Sequence, residues 1–242
     1  METLDLTLPT PEENLACDEA LLRRSERDGF GETLRFWEPR RHFIVLGLSN
    51  SHRTETRFPN ARARQIPVLR RVSGGGAVLQ GPGCLNFALV LRIRKPGPLE
   101  TITAANRFIL ERHSETVEKL LGRPVSIRGW TDLTLGDLKF SGNSQRRGRD
   151  WLLFHGTFLL QFDLGFMENL LEMPSHPPPY REGRSHSRFL TNLPLSSERL
   201  KEALQKAWGA NGTTPAAPTE EISLLVENRY SRPDWNLRTI VS

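Results

Sequence analysis

The chain is poor in cysteine, in lysine and in long apolar runs, and each scarcity removes a class of protein. Two cysteines in 242 residues, Cys17 and Cys84, cannot build a disulfide framework. Neither lies in a CxxC or Cys/His spacing, so structural zinc is unsupported and a reducing, cytoplasmic setting fits best. The longest apolar run, Phe43 to Leu48, falls far short of the ~20 residues that span a bilayer. The start, Met1 to Asp5, carries no basic stretch, so neither membrane association nor export is expected. No segment recurs at a fixed period. Lysine is the scarcest cation: Lys95, Lys119, Lys139, Lys201 and Lys206 stand among 33 Lys and Arg residues, against 28 acids, for a net charge of +5. That excess is an arginine bias spread along the chain. Without aromatics interleaved among the basic residues, it does not make a nucleic-acid groove. One window departs from the spread: Arg35 to Arg71 contains only two acids, Glu38 and Glu55, among many arginines, a surplus that attracts phosphate or carboxylate.

What is present is an ordinary folding composition, 37% hydrophobic and 25% charged, enough to close a core without staples. Leu4, Leu6 and Leu8 alternate as in a strand. Thr10-Pro11-Glu12-Glu13 reads as N-cap, first-turn proline and capping-box glutamate of a helix to about Arg24. Leu34–Trp37 and Phe43–Gly47 read as a hairpin across Glu38–Arg41, and Pro67–Val72 as a strand entering Ser73–Gly76. Leu85–Ile93 is a further strand. Thr101–Leu121 has helical apolar spacing with Gly122 as its C-cap. Val125–Ile127, Asp132–Leu135, Leu138–Ser141 and Trp151–Leu160 read as a meander. Met173–Arg188, rich in proline and serine, reads as a loop, and Ser197–Trp208 as a final helix stopped by Gly209. Thr213–Thr219 resembles a linker, and Ile222–Val226 is a strand candidate in the tail. Strand and helix blocks alternate without a βαβ rhythm, so the expected class is α+β, a mixed β-sheet flanked by helices. One domain over residues 1–212 is expected, followed by a linker and short tail at 213–242.

Three stretches carry candidate chemistry. Arg70-Arg71-Val72-Ser73-Gly74-Gly75-Gly76-Ala77 joins two fixed cations to a glycine run whose amides can cradle an anion. It is neither a P-loop nor a dinucleotide fingerprint, and alone it also reads as a flexible turn. Asp132 and Lys139 lie on facing strands of a hairpin. In a chain that otherwise uses arginine, a lysine between Leu138 and Phe140 suggests a site wanting a compact ammonium, although a surface lysine snorkelling over apolar neighbours would look the same. His155-Gly156-Thr157 interrupts an apolar strand, so His155 either meets a ligand or hydrogen-bonds inside the core. Cys84 reads as a small buried residue rather than a nucleophile, and so does Cys17 on the apolar side of the first helix.

Taken in order, Asn14-Leu15-Ala16, Arg70 to Val78, Gly83 to Phe87, Thr131-Asp132-Leu133, Lys139 to Gln145 and His155-Gly156-Thr157 resemble the lipoate-protein ligase A family, over about residues 1–208. The resemblance implies the catalytic-domain fold shared by biotin and lipoate protein ligases. It also implies a reaction in which lipoate or octanoate and ATP, with Mg²⁺, give an acyl-adenylate, and the acyl group passes to a lysine of a lipoyl domain. The implied acceptors are E2 subunits of 2-oxoacid dehydrogenases or the glycine cleavage H protein. By the same resemblance Lys139 is the catalytic residue. Arg71, Ser73, Gly74, Gly75, Gly76, Ala77, Asp132, Ser141, Gly142, His155, Gly156 and Thr157 line the acyl-adenylate site, with Asp132 as the magnesium ligand and Leu85–Leu91 and Leu152–Leu160 walling the acyl tunnel. Gln80-Gly81 stands where ligases often have His-Asp, and Thr131-Asp132 where they often have Asn-Asp. The segment after the linker is too short for the C-terminal accessory domain of such ligases, so a separate accessory chain or a simpler reaction is expected. The alternatives are an ATP-independent octanoyl- or lipoyltransferase and a non-catalytic binder of lipoate or lipoyl domains. Cysteine-dependent transferases place their nucleophile before the lysine hairpin, where this chain has Arg128-Gly129-Trp130-Thr131.

Overall fold

The computed structural model describes residues 1–213 and 216–238. Strand β1 (Glu2–Asp5) leads to helix α1 (Pro11–Asp28). The expected capping box starts that helix: Thr10 Oγ accepts from Glu13 N–H, and the Glu13 carboxylate accepts from Thr10 N–H. Then come β2 (Thr33–Trp37), β3 (Phe43–Leu46), short helices α2 (His52–Glu55) and α3 (Phe58–Ala63), β4 (Val68–Arg70), β5 (Val78–Gln80) and β6 (Cys84–Arg92). Helix α4 (Ile102–Leu121) runs from the Thr101 cap to Gly122. A meander follows of β7 (Ser126–Arg128), β8 (Asp132–Leu135), β9 (Leu138–Arg147) and β10 (Trp151–Leu159). After it come α5 (Leu164–Met167), α6 (His186–Phe189), α7 (Ser197–Trp208), β11 (Gly212–Thr213), α8 (Thr219–Leu225) and α9 (Pro233–Asn236).

The larger sheet has the order β11-β1-β2-β6-β10-β9-β8-β7, parallel at β11-β1-β2 and antiparallel beyond; the smaller has the order β4-β3-β5. The mixed-sheet α+β class is therefore as expected. One face of the large sheet packs Phe36, Phe87, Leu89 and Phe154 against Ile109 and Val117 of α4 and Leu200 and Leu204 of α7. The other packs Ala88, Val90 and Leu153 against Ala16, Cys17, Ala20 and Leu21 of α1. Each of the buried Val, Leu, Ile and Phe side chains contributes about 1.5–3 kcal/mol.

Two expectations are overturned. Leu34–Trp37 and Phe43–Gly47 are not a hairpin: β2 pairs with β1 and β6 of the large sheet, whereas β3 pairs with β4 and β5 of the small one. Both strands are buried along their whole length. Phe43–Leu46 lacks the alternation that would reveal its neighbours, and in β2 the alternating Thr33 and Arg35 imitate a solvent-facing side although both are buried. The tail candidate Ile222–Val226 is helical, with Ile222 and Leu225 packed together against α1. Of the linker-like Thr213–Thr219, residues 214–215 lie outside the described residues.

The tail is anchored by Arg70. Its guanidinium has no solvent exposure and donates to the carbonyls of Gly47, Leu48 and Asn50 on one side and of Trp235, Asn236 and Arg238 on the other, at 2.7–3.2 Å. Tyr230 O–H donates to Glu19 Oε2 of α1 at 2.8 Å, and Arg229 pairs with the same carboxylate.

Candidate active site

The hairpin turn Gly136-Asp137 brings β9 back along β8, with a register shift at Leu133/Thr134 that sets Lys139 opposite Thr134 and Gly142 opposite Asp132. Lys139 Nζ lies 2.7 Å from Asp132 Oδ1. Gly142 makes the room: a Cβ there would stand 2.9 Å from both Cε and Nζ of Lys139. The second carboxylate oxygen, Oδ2, accepts the Tyr180 hydroxyl at 2.8 Å. Burial and the neighbouring Asp132 push the Tyr180 phenol above its ordinary range, so it stays a donor. Arg128 stacks on the Tyr180 ring at 5.3 Å.

Facing this hairpin is the glycine loop. Arg71 Nε donates to Ser73 Oγ at 3.1 Å, and Nη2 donates to the carbonyls of Gly74 (2.5 Å) and Gly76 (3.0 Å). Ser144 Oγ donates to Gly74 O from β9 at 3.0 Å. The loop turns at Gly75, whose φ of +86° favours glycine. With carbonyls drawn onto Arg71, the N–H groups of Gly74, Gly75 and Gly76 have no hydrogen-bond partner among the described residues. Nor does Arg71 pair with a carboxylate there, and burial pulls its pKa down to about 10. A half-buried cation beside open amides can seat an anion.

Between hairpin and loop lies a cavity of about 400 Å³, within the range of small-molecule sites. Its apolar wall includes Leu15, Trp37, Val45, Val78, Leu79, Phe87, Phe140 and Leu171. Of the expected site residues, Lys139, Arg71, Gly76, Ala77, Asp132, Ser141, Gly142, His155, Gly156 and Thr157 line it. Ser73, Gly74 and Gly75 are not among the lining residues: Ser73 is buried, and the two glycines are exposed beside the lining Gly76. The expected tunnel walls are narrower than Leu85–Leu91 and Leu152–Leu160. Only Asn86, Phe87, His155–Thr157 and Leu159 reach the cavity; the rest of both strands faces the cores. A closed ring of polar groups sits in the same wall: Gln80 donates to Thr157 Oγ (2.6 Å), Thr157 to Asn86 (2.5 Å) and Asn86 back to Gln80 (3.0 Å). The loop after Met173 covers the opening with Pro174, His176, Pro177, Pro178, Pro179 and Arg181.

Sequence reading missed three residues here. Tyr180 lay hidden in a segment read as a plain loop. Asp18 and Arg35 form a buried ion pair, 2.5 Å apart, and Asp18 also lies 3.2 Å from His155 Nδ1. The available signal was an acid at Asp18, one turn after Asn14, among the apolar Leu15, Ala16, Cys17 and Ala20 of α1. Neither cysteine lines the cavity; burial raises the Cys17 thiol to about 11 and the Cys84 thiol to about 12.

Asp132 does not fit as a magnesium ligand in this arrangement. Both of its oxygens are engaged, one by an ammonium that repels a metal cation. Among the described residues no group of three His, Cys, Asp or Glu could hold a metal ion. None of the described helices is long and apolar enough to cross a membrane.

Residues 10–208 match the family model of the lipoyl protein ligase A/B catalytic domain. An octanoyltransferase LipM of Brevibacillus brevis is 25% identical, covering 95% of this chain and 95% of its own. A lipoate–protein ligase 1 of Staphylococcus aureus is 26% identical, covering 93% and 70%. Among solved structures, a bi-partite lipoate protein ligase studied with its E2 lipoyl domain from Thermoplasma acidophilum superposes with a TM-score of 0.83, at 22% identity, over 100% of this chain and 97% of that one. A lipoate-protein ligase A bound with ATP gives 0.81 at 23% identity, over 98% of each chain. The chain belongs to the lipoyl protein ligase A/B catalytic-domain family.

Proposed function

We propose that this member of the lipoyl protein ligase A/B family joins lipoate or octanoate to ATP as an acyl-adenylate and passes the acyl group to a lysine of a lipoyl domain. The observation that carries this reading is the meeting of three things at one cavity: an apolar wall, a lysine ammonium and an anion seat whose cation has no carboxylate partner among the described residues. The apolar wall holds the acyl chain, each buried CH₂ contributing about 0.8 kcal/mol. Its carboxylate then lies by Lys139, and the open amides of Gly74–Gly76 with Arg71 receive phosphate oxygens. Attack of a carboxylate on the α-phosphate brings two anions together, which fixed cations on both sides make possible. In the transfer step the Lys139 ammonium stabilises the oxyanion formed as the acceptor amine adds to the acyl carbonyl and AMP leaves. Asp132, braced by Tyr180, keeps that ammonium aimed. Magnesium carried on the triphosphate as part of the substrate would offset charge on the leaving pyrophosphate.

The acceptor proposed is a lipoyl domain of an E2 subunit or of the glycine cleavage H protein; the E2 lipoyl domain studied with the Thermoplasma protein supports the first. A separate accessory chain completing the adenylation half-reaction is part of this proposal, and so is a cytoplasmic setting. A second reading, ATP-independent octanoyl transfer, is favoured by the full-length match to an octanoyltransferase. Against it stands the lack of a cavity-lining cysteine.

The test is the intact mass of an apo lipoyl domain incubated with the protein under two regimes. Mass gain with ATP, Mg²⁺ and octanoate, by the protein alone or once the accessory chain is added, supports the ligase. Gain only from an octanoylated carrier thioester establishes the transferase instead.

A further inference from the structure

Beneath the glycine loop, four buried polar side chains touch in sequence. Arg35 Nη1 donates to Asp18 Oδ1 at 2.5 Å, His155 Nδ1 lies 3.2 Å from Asp18 Oδ2, and His155 Nε2 lies 2.6 Å from Ser73 Oγ. Ser73 Oγ in turn accepts from Arg71 Nε at 3.1 Å. All four residues are nine-tenths or more buried.

The donors and acceptors in this chain can be ordered. A carboxylate paired with arginine only accepts, so the proton of a neutral His155 sits on Nδ1 and points at Asp18. Nε2 is then an acceptor, so the Ser73 hydroxyl donates to it and turns its lone pairs toward Arg71. The serine, histidine and aspartate contacts match those of a nucleophile, its base and an orienting acid. Ser73, however, is only 1% exposed and does not line the cavity, and its oxygen is taken by Arg71.

We infer that Asp18, His155 and Ser73 form a proton-ordered relay whose output is the position of Arg71, making them positioning residues for the anion-binding half of the site and not a hydrolytic triad. The relay fixes Nε of Arg71, and the other end of the guanidinium then gathers the Gly74 and Gly76 carbonyls and leaves the loop amides open. The inference rests on the acyl-adenylate reading for the identity of the anion, but the relay itself is a property of the unliganded protein.

Two measurements test it separately. The first is the ring-nitrogen NMR spectrum of the unliganded protein, with the His155 resonance assigned by its loss in His155→Gln. The relay predicts a proton on Nδ1 and an unprotonated Nε2; the opposite tautomer overturns it. The second is the dissociation constant of octanoyl-AMP, measured by calorimetry on folded variants. Ser73→Ala removes the acceptor for Arg71 and should weaken binding about tenfold, the scale of one hydrogen bond to a charged group. His155→Gln can place an amide oxygen where Nε2 was, keeping the Ser73 hydroxyl ordered, and should weaken binding by less than about threefold. His155→Asn reaches only Asp18 and should resemble Ser73→Ala. Equal losses in His155→Gln and His155→Asn, undiminished affinity in Ser73→Ala, or octanoate found esterified to Ser73 by peptide mass would each overturn the relay. If wild type binds no octanoyl-AMP, the acyl-adenylate reading falls, and the tautomer alone decides the relay.

Discussion

Arg70 and Arg71 are neighbours in sequence with nearly identical chemistry, yet they serve opposite sides of the small sheet. Arg70 is fully buried, and its guanidinium is consumed by six backbone carbonyls that tie the loop after β3 to the tail. Arg71 is half-buried, holds two carbonyls of the glycine loop and lines the cavity. Burial pulls both down to about 10, with Arg238 adding to the effect on Arg70. What separates them is which acceptors are already spent: Arg70 is closed on the protein, whereas Arg71 leaves its charge and a row of amides for something else. Residue type announces neither role; the surrounding acceptors decide.

The largest effect is expected at the hairpin across from Arg71. Lys139→Ala should lower acyl transfer at least 10²- to 10³-fold, as loss of a preorganised charge at an oxyanion does, with the circular dichroism spectrum unchanged; an acceptor mass assay reads it. Arg71→Met should weaken octanoyl-AMP binding by about 10- to 100-fold while leaving the melting temperature within about 2 °C, since its one bond to a core carbonyl, Nη1 to Val45 O, is long at 3.4 Å. Arg70→Met should do the reverse. Stranding six carbonyls should cost about 3 kcal/mol or more, which for a chain of this size lowers Tm by about 6–12 °C. Equal Tm losses in the two arginine variants would erase the comparison. Tyr180→Phe frees one Asp132 oxygen and should slow transfer about 2- to 10-fold.

The smallest effect is expected at Cys84. Cys84→Ala should keep transfer within about twofold of wild type. The folded thiol is raised to about 12 from the ordinary 9.0, so its contribution to stability is complete below pH 9 and is lost as pH rises toward 12. Alkaline denaturation curves should be flatter in that variant.

How far these roles could be read from sequence follows the same divide. Local signals were legible: the Thr10 capping box, the Thr101 to Gly122 helix, and the meander whose hairpin places Lys139 against Asp132. The glycine run stood out because its composition is itself the signal, and its unpartnered amides lie beside Arg71. Strand partners were not legible, because β2 and β3 are buried on both faces: the apolar run of β3 carries no register, and the polar Thr33 and Arg35 of β2 are buried too. Long-range polar contacts were equally silent. Asp18 and His155 are 137 positions apart, and Arg70 meets the tail 165 or more positions away. Tyr180 crosses from the covering loop to Asp132, a contact no periodicity reveals.

The most direct measurement of the central claim supplies synthetic octanoyl-AMP, without ATP, to wild-type protein and to Lys139→Ala, each with an apo lipoyl domain, and follows the acceptor's intact mass. The account predicts one octanoyl addition catalysed by wild type and none above background with Lys139→Ala. No transfer from octanoyl-AMP by wild type, with transfer from an octanoylated carrier thioester instead, would contradict it.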